Sequence, residues 1–160
     1  MLTTKHLKTV RLRLITTPAL LLVGLISFNA SLQDASAQAQ EISVYKSPSC
    51  DCCGKWVEHL QQHGFTVAVH ATEDLDSVKA KYGVLADLAS CHTAVVESYV
   101  VEGHVPASDI RRLLEEWPKA RGLAVPGMPA GSPGMEGAGR ELYEVLLFQA
   151  RGTTEVFAKH

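Results

Sequence analysis

The 160-residue chain has little net charge, no fixed-period repeat and no uninterrupted apolar run of the ~20 residues that a full membrane span needs. Each of these gaps excludes something. The formal net charge is −2, and it is unevenly spread, because the first 37 residues carry Lys5, Lys8, Arg11 and Arg13 against only Asp34. That leaves 11 of the 15 basic and 16 of the 17 acidic residues in the remainder. A mildly acidic body gives no electrostatic reason to expect nucleic acid or an anionic membrane as partner. The missing repeat excludes solenoids, and the length allows one ordinary globular domain but not two large ones. No cysteine follows the apolar stretch near the N-terminus and no adjacent arginine pair precedes it, so neither a lipid-anchored start nor twin-arginine export is expected.

What that N-terminus does contain is the pattern of an ordinary secretory signal. Basic residues run to Arg13, the apolar stretch extends from Leu14 to Phe28, and Ala35-Ser36-Ala37 forms a small-x-small cleavage site. Thr16, Thr17 and Pro18 interrupt the apolar stretch, which argues against a retained anchor. Residues 1–37 are therefore expected to be a cleaved signal peptide, with a periplasmic domain over residues 41–158 and no stable membrane anchor after cleavage.

Outside the cytoplasm, thiols that remain reduced need a metal, a reductant or burial. The chain has four cysteines, Cys50, Cys52, Cys53 and Cys91. Their setting comes from the element pattern. Glu41–Lys46 alternates as a strand until Ser47-Pro48-Ser49 breaks it, and Trp56, Val57 and Leu60 mark a helix over Asp51–His63. A strand over Phe65–His70 and a helix over Asp74–Tyr82 follow. Strands over Thr93–Glu97 and Tyr99–Glu102 then form a hairpin, and Ile110, Leu113, Leu114 and Trp117 share the apolar face of a helix over Asp109–Trp117. The predicted fold class is α/β, with a thioredoxin-like βαβαββα core. Strands over Leu142–Gln149 and Thr153–Ala158 add a C-terminal β-hairpin extension. Between core and extension lies a Pro/Gly/Met loop, Val125 to Met135, unable to form a long helix or a ladder.

In such a fold Cys50, Cys52 and Cys53 stand where a strand turns into a helix, beside unpaired backbone N–H groups and the positive end of the helix dipole. That setting favours thiolate, the species that binds metal or attacks a disulfide. Cys91 and His92 precede the third strand, which in this fold lies beside the same helix start. Four sulfurs and one imidazole can thus meet in one pocket. Soft sulfur donors favour copper(I), Cu+, with zinc as the main competitor, and close thiolates can share several ions in a multinuclear cluster. Met128 and Met135 bring thioether donors in a loop where they are not obvious core residues.

Two other readings stand beside metal binding. Cys50 and Cys53 have the C-x-x-C spacing of a thiol–disulfide oxidoreductase. An even cysteine count also fits a structural disulfide or zinc module. His59, His63, His70, His104 and His160 are read as polar surface or loop residues, and Trp56 and Trp117 as core.

Tyr45-Lys46-Ser47-Pro48-Ser49-Cys50-Asp51-Cys52-Cys53-Gly54-Lys55-Trp56 is a distinctive segment, as are Ser90-Cys91-His92-Thr93 and Val101-Glu102-Gly103-His104-Val105-Pro106. With Gly122 to Pro129 and Gly131 to Glu136, they resemble the CopG-like family of exported bacterial proteins associated with copper resistance, in family order from about Ile42 to Ala158. The resemblance implies a thioredoxin-like fold in which Cys50, Cys52, Cys53 and Cys91 bind copper, with a multi-copper cluster among the forms this takes. It leaves the roles of His92, Met128 and Met135 open. Copper ions, and other periplasmic copper-handling proteins, are the partners it implies.

Overall fold

Alternation places Ile42 and Val44 on one face of a strand, and both are fully buried. Cys53, Trp56, Val57 and Leu60, three or four residues apart, form the buried face of the first helix. A computed structural model describes residues 40–160. The predicted signal peptide, residues 1–37, lies outside the described residues. The elements run β1 (Glu41–Lys46), α1 (Asp51–Gln62), β2 (Thr66–Ala71), α2 (Leu75–Tyr82), β3 (His92–Val96), β4 (Tyr99–Glu102), α3 (Ala107–Glu116), β5 (Gly122–Ala124), β6 (Glu144–Phe148) and β7 (Thr154–Lys159). No helix among the described residues is long and apolar enough to cross a membrane.

The strands form one mixed sheet in the order β2-β1-β3-β4-β5-β6-β7. β1 and β2 are parallel, and α1 supplies the crossover that parallel neighbours require. β3 returns antiparallel on the other side of β1, and the β3–β4 hairpin follows. The β-α-β-α-β-β-α order and the α/β class are as expected, consistent with a thioredoxin-like fold. The C-terminal hairpin of β6 and β7 also forms, and extends the sheet.

β5 was not foreseen. Three residues are too few for alternation to register, yet Gly122–Ala124 runs parallel to β4 and joins the core sheet to β6. Gly122 is required there, because a Cβ at that position would overlap the Val100 carbonyl. Trp117 is a second correction. It is 54% exposed, not core, because α3 stops at Glu116 and Trp117 caps it in the left-handed region at φ 47°. The turn rotates the indole off the apolar face that Ile110 and Leu113 bury, and it meets Tyr99 edge to face.

Register explains why one end of this sheet holds the chemistry. Lys46 at the end of β1 pairs with His92 at the start of β3, and Thr93 pairs with Glu102 at the end of β4. Glu102 in turn pairs with Ala124 at the end of β5. Four segments therefore meet at this end: the start of α1, the turn before β3, the exit of β4 and the start of the Pro/Gly/Met loop.

Candidate metal centre

Cys50 is the N-cap of α1, with extended φ and ψ of −80° and 101°, and no side chain caps the helix. Its sulfur is joined to that of Cys53, in the first turn of the same helix, in a disulfide. Cys52 and Cys91 are free. The Cys52 sulfur lies 3.5 Å from that of Cys50, and the Cys53 sulfur lies 3.8 Å from the Cys91 carbonyl oxygen. All four Sγ atoms fall within 4.8 Å of one another. The convergence expected of the four cysteines is present, with two of the four sulfurs bonded to each other in this state.

The second half of the site is built on imidazole. The Cys91 sulfur is 3.3 Å from His92 Nδ1 and 3.0 Å from His104 Nε2, so Cys91, His92 and His104 form a second convergent donor group sharing one sulfur with the first. His104 is fully buried, not a solvated loop residue as its place after Gly103 implied. The hairpin register accounts for this. Val96 pairs with Tyr99 and Thr93 with Glu102, and two steps further the same register sets Cys91 opposite His104. A two-residue Glu97-Ser98 turn, legible in the sequence, was the signal that could have found it.

The tautomer of His104 follows from its partners. Nδ1 lies 2.7 Å from the Pro133 carbonyl oxygen, which can only accept, so Nδ1 carries the hydrogen and the Nε2 lone pair faces Cys91. Burial holds both imidazoles below the ordinary histidine range, His92 well below it, so both are the neutral species that metal ligation requires. Cys91 is in the opposite situation from a helix-start thiol. Burial, reinforced by Cys52 nearby, pushes it up to about 12, so it is a protonated thiol when metal-free.

His92 adds a sign of incompleteness. It is fully buried between the Trp56 ring, 4.3 Å away centroid to centroid, and the His104 ring at 5.0 Å, and its Nε2 has no hydrogen-bond partner among the described residues. Buried polar atoms are rarely left so. Trp56 is core, as expected, and its Nε1 donates to the Val105 carbonyl at 2.8 Å, locking α1 to the segment that carries His104.

The Pro/Gly/Met loop is an ordered strap across this end. Gly127 N–H donates to the Ala89 carbonyl at 3.3 Å, and the Ser90 hydroxyl donates to the Gly127 carbonyl. Inside the strap, Met135 N–H donates to the Ser132 carbonyl and Gly131 N–H to that of Met135. Gly134, at φ 89°, sits so close to α1 that a Cβ would lie 2.6 Å from the Cys52 carbonyl oxygen. The strap thus holds Met128 one residue beyond the Ser90 anchor and Met135 one residue beyond the helix contact. The Met128 side chain is exposed and that of Met135 half-buried. His59, read as solvated, is half-buried and accepts from the Ala107 N–H at 3.1 Å. It is a strut between α1 and α3.

Once the Cys50–Cys53 disulfide is reduced, four sulfurs and two neutral imidazoles form a soft donor set, the chemistry that selects copper(I), zinc or an iron–sulfur centre over hard cations. A family described as a protein of unknown function, DUF411, matches residues 88–135, which span Cys91, His92, His104 and the strap. No curated protein matches. Two solved structures, Form 1 and Form 2 of copper resistance protein CopG, match at 42% and 43% identity with a TM-score of 0.72 each. Each match covers 76% of this chain and 98% of the solved one. At that identity and over that length, the chain belongs to the family of copper resistance protein CopG.

Proposed function

We propose that this chain is a periplasmic copper(I)-binding protein serving copper tolerance, with Cys50, Cys52, Cys53 and Cys91 as its thiolate ligands. The observation that supports it most strongly is the approach of four sulfurs, from two segments 38 residues apart, to within 4.8 Å of one another. Thiolate sulfur is soft, and adjacent Cys52 and Cys53 fit poorly around one tetrahedral zinc ion but well around several low-coordinate copper(I) ions sharing bridging sulfurs. His104 Nε2 and His92 extend the donor set on the Cys91 side, and Met128 and Met135 are the thioethers the strap keeps nearby.

In this reading the chain's own groups divide the work. Reduction of the Cys50–Cys53 disulfide by two electrons and two protons frees the two helix-start sulfurs. Cys91 gives up its proton as copper enters. The Pro133 carbonyl keeps the His104 lone pair turned toward Cys91.

The disulfide favours a second reading, thiol–disulfide or copper oxidoreductase chemistry. Two Cu(II) ions would take one electron each from the Cys50 and Cys53 thiols, giving the disulfide, two Cu(I) ions and two protons. The two readings share a site and differ in turnover. Cys52→Ser tests the first: it is expected to lower the copper retained per chain without unfolding the domain, because a half-buried helix-start residue contributes little to the core. Undiminished copper in Cys52→Ser contradicts it. A reductase rate above that of free thiol in the metal-free chain supports the second.

A further inference from the structure

Glu102 ends β4 with no exposed surface. Its carboxylate is fully engaged. Oε1 accepts from Lys79 Nζ at 2.6 Å and from the Ser90 backbone N–H at 2.7 Å, and Oε2 accepts from the Thr93 hydroxyl at 2.6 Å. Lys79 Nζ also donates to the Thr93 hydroxyl at 3.1 Å. A buried ion pair of this kind is weak grounds for stability, since desolvating the two charges often cancels their attraction. What it holds is more informative.

Ser90 and Cys91 lie between a single 3₁₀ turn, Ala86–Leu88, and the first residue of β3, so no strand ladder fixes their backbone. The Ser90 N–H is held by a side chain instead, and that side chain is Glu102. The Ser90 hydroxyl is held by the strap through Gly127. The very next residue carries the sulfur that the thiol group and the imidazole group have in common. Glu102 is also tied to the strap through its own carbonyl, which accepts from Val125 N–H at 2.9 Å, and Gly103 N–H donates to the His92 carbonyl at 3.1 Å.

We propose that Glu102, charge-balanced by Lys79, is a positioning residue for Cys91: through the Ser90 N–H it sets where the Cys91 sulfur stands relative to Cys52 and His104. Its functional meaning rests on the copper-binding reading, whereas the placement of Cys91 does not. Partners one step removed from a metal ligand govern affinity by holding the ligand in place, and losing one costs roughly 10- to 100-fold.

Two variants test this. Glu102→Met keeps the length and removes both carboxylate oxygens, including the one that accepts from the Ser90 N–H. Lys79→Met with Glu102→Leu removes both charges together, an exchange that buried pairs tolerate with little loss of stability, and so stands in if the single variant does not fold. Folding is followed by circular dichroism and thermal melting. Iodoacetamide alkylation of Cys91 in the metal-free chain, resolved by mass spectrometry against Cys52 as internal reference, reads placement. Competition with bathocuproine disulfonate reads copper(I) affinity. The expected result is Cys91 alkylated several-fold faster relative to Cys52, and copper(I) affinity lower by roughly 10- to 100-fold, in a variant that is still folded. An unchanged alkylation ratio in a folded variant overturns the proposal whatever the metal arm shows. A wild-type chain that takes up no copper(I) overturns the copper-binding reading instead, and the alkylation ratio still decides the role of Glu102.

Discussion

Gly134→Ala places a methyl group 2.6 Å from the Cys52 carbonyl oxygen and 3.0 Å from Trp56 N, at a backbone φ of 89°. The left-handed conformation alone costs a residue with a Cβ about 1–2 kcal/mol. Overlap with backbone that cannot move adds about 1–3 kcal/mol. Against this, the strap beside Gly134 is tied to the β4 exit by the hydrogen bond of His104 to the Pro133 carbonyl, and a hydrogen bond of that kind contributes about 0.5–1.5 kcal/mol net. The strain exceeds the hold, so the strap is expected to lift away rather than absorb it. Stability then falls only by what the strap contributed, about 1 kcal/mol, or about 3–5 °C in Tm for a domain of this size. His104 loses the carbonyl that orients it, and copper(I) affinity falls by roughly 10- to 100-fold. Thermal melting and copper(I) competition titration measure the two effects. Gly137→Ala is the control, because a Cβ there meets nothing within 4 Å among the described residues. A Gly134→Ala protein with wild-type melting and wild-type copper affinity refutes the placement of the strap against α1.

Copper(I) affinity is expected to rise with pH. Cys91 is protonated when metal-free because burial pushes it up to about 12, so each copper that takes this sulfur displaces a proton, and affinity gains about tenfold per pH unit from Cys91 alone. Competition titrations at about pH 6 and about pH 8 check this, with Cys91→Ser losing one proton from the slope; a pH-independent affinity contradicts it. Trp117→Gly is expected to change stability by less than about 1 kcal/mol, since relief of the left-handed strain at φ 47° offsets the lost contact with Tyr99. A loss of about 3–5 kcal/mol on thermal or urea denaturation, the cost of truncating a core tryptophan, would restore Trp117 to the core.

The sequence exposed those parts of the fold that follow from periodicity. The strands and helices of the core stand within two residues of their expected ends, because alternation at Ile42 and Val44 and helical spacing at Trp56, Val57 and Leu60 each bury one face. The meeting of Cys91 with the helix-start cysteines was legible too, since it follows from strand order rather than from any local signal. His104 was not found, because composition around Gly103 reads as loop and only the hairpin register, carried two residues past the end of β4, sets it opposite Cys91. Gly122–Ala124 escaped because three residues carry no period. Trp117 misled because the helical stripe that includes it ends one residue earlier, where a left-handed cap turns the ring outward. The Cys50–Cys53 disulfide was one of several pairings the spacing allowed, and the carboxylate of Glu102 holding Ser90 depends on side-chain geometry that no pattern encodes.

Anaerobic titration of the fully reduced chain with copper(I), with retained metal counted by elemental analysis beside a thiol count, tests the central claim most directly when run on wild type and Cys91→Ser together. Copper held by more than one ion per chain in wild type, and diminished in Cys91→Ser, is the expected result, because the site spans both segments. No retained copper in wild type, or the same amount in Cys91→Ser, would contradict a shared thiolate centre joining the start of α1 to the turn before β3.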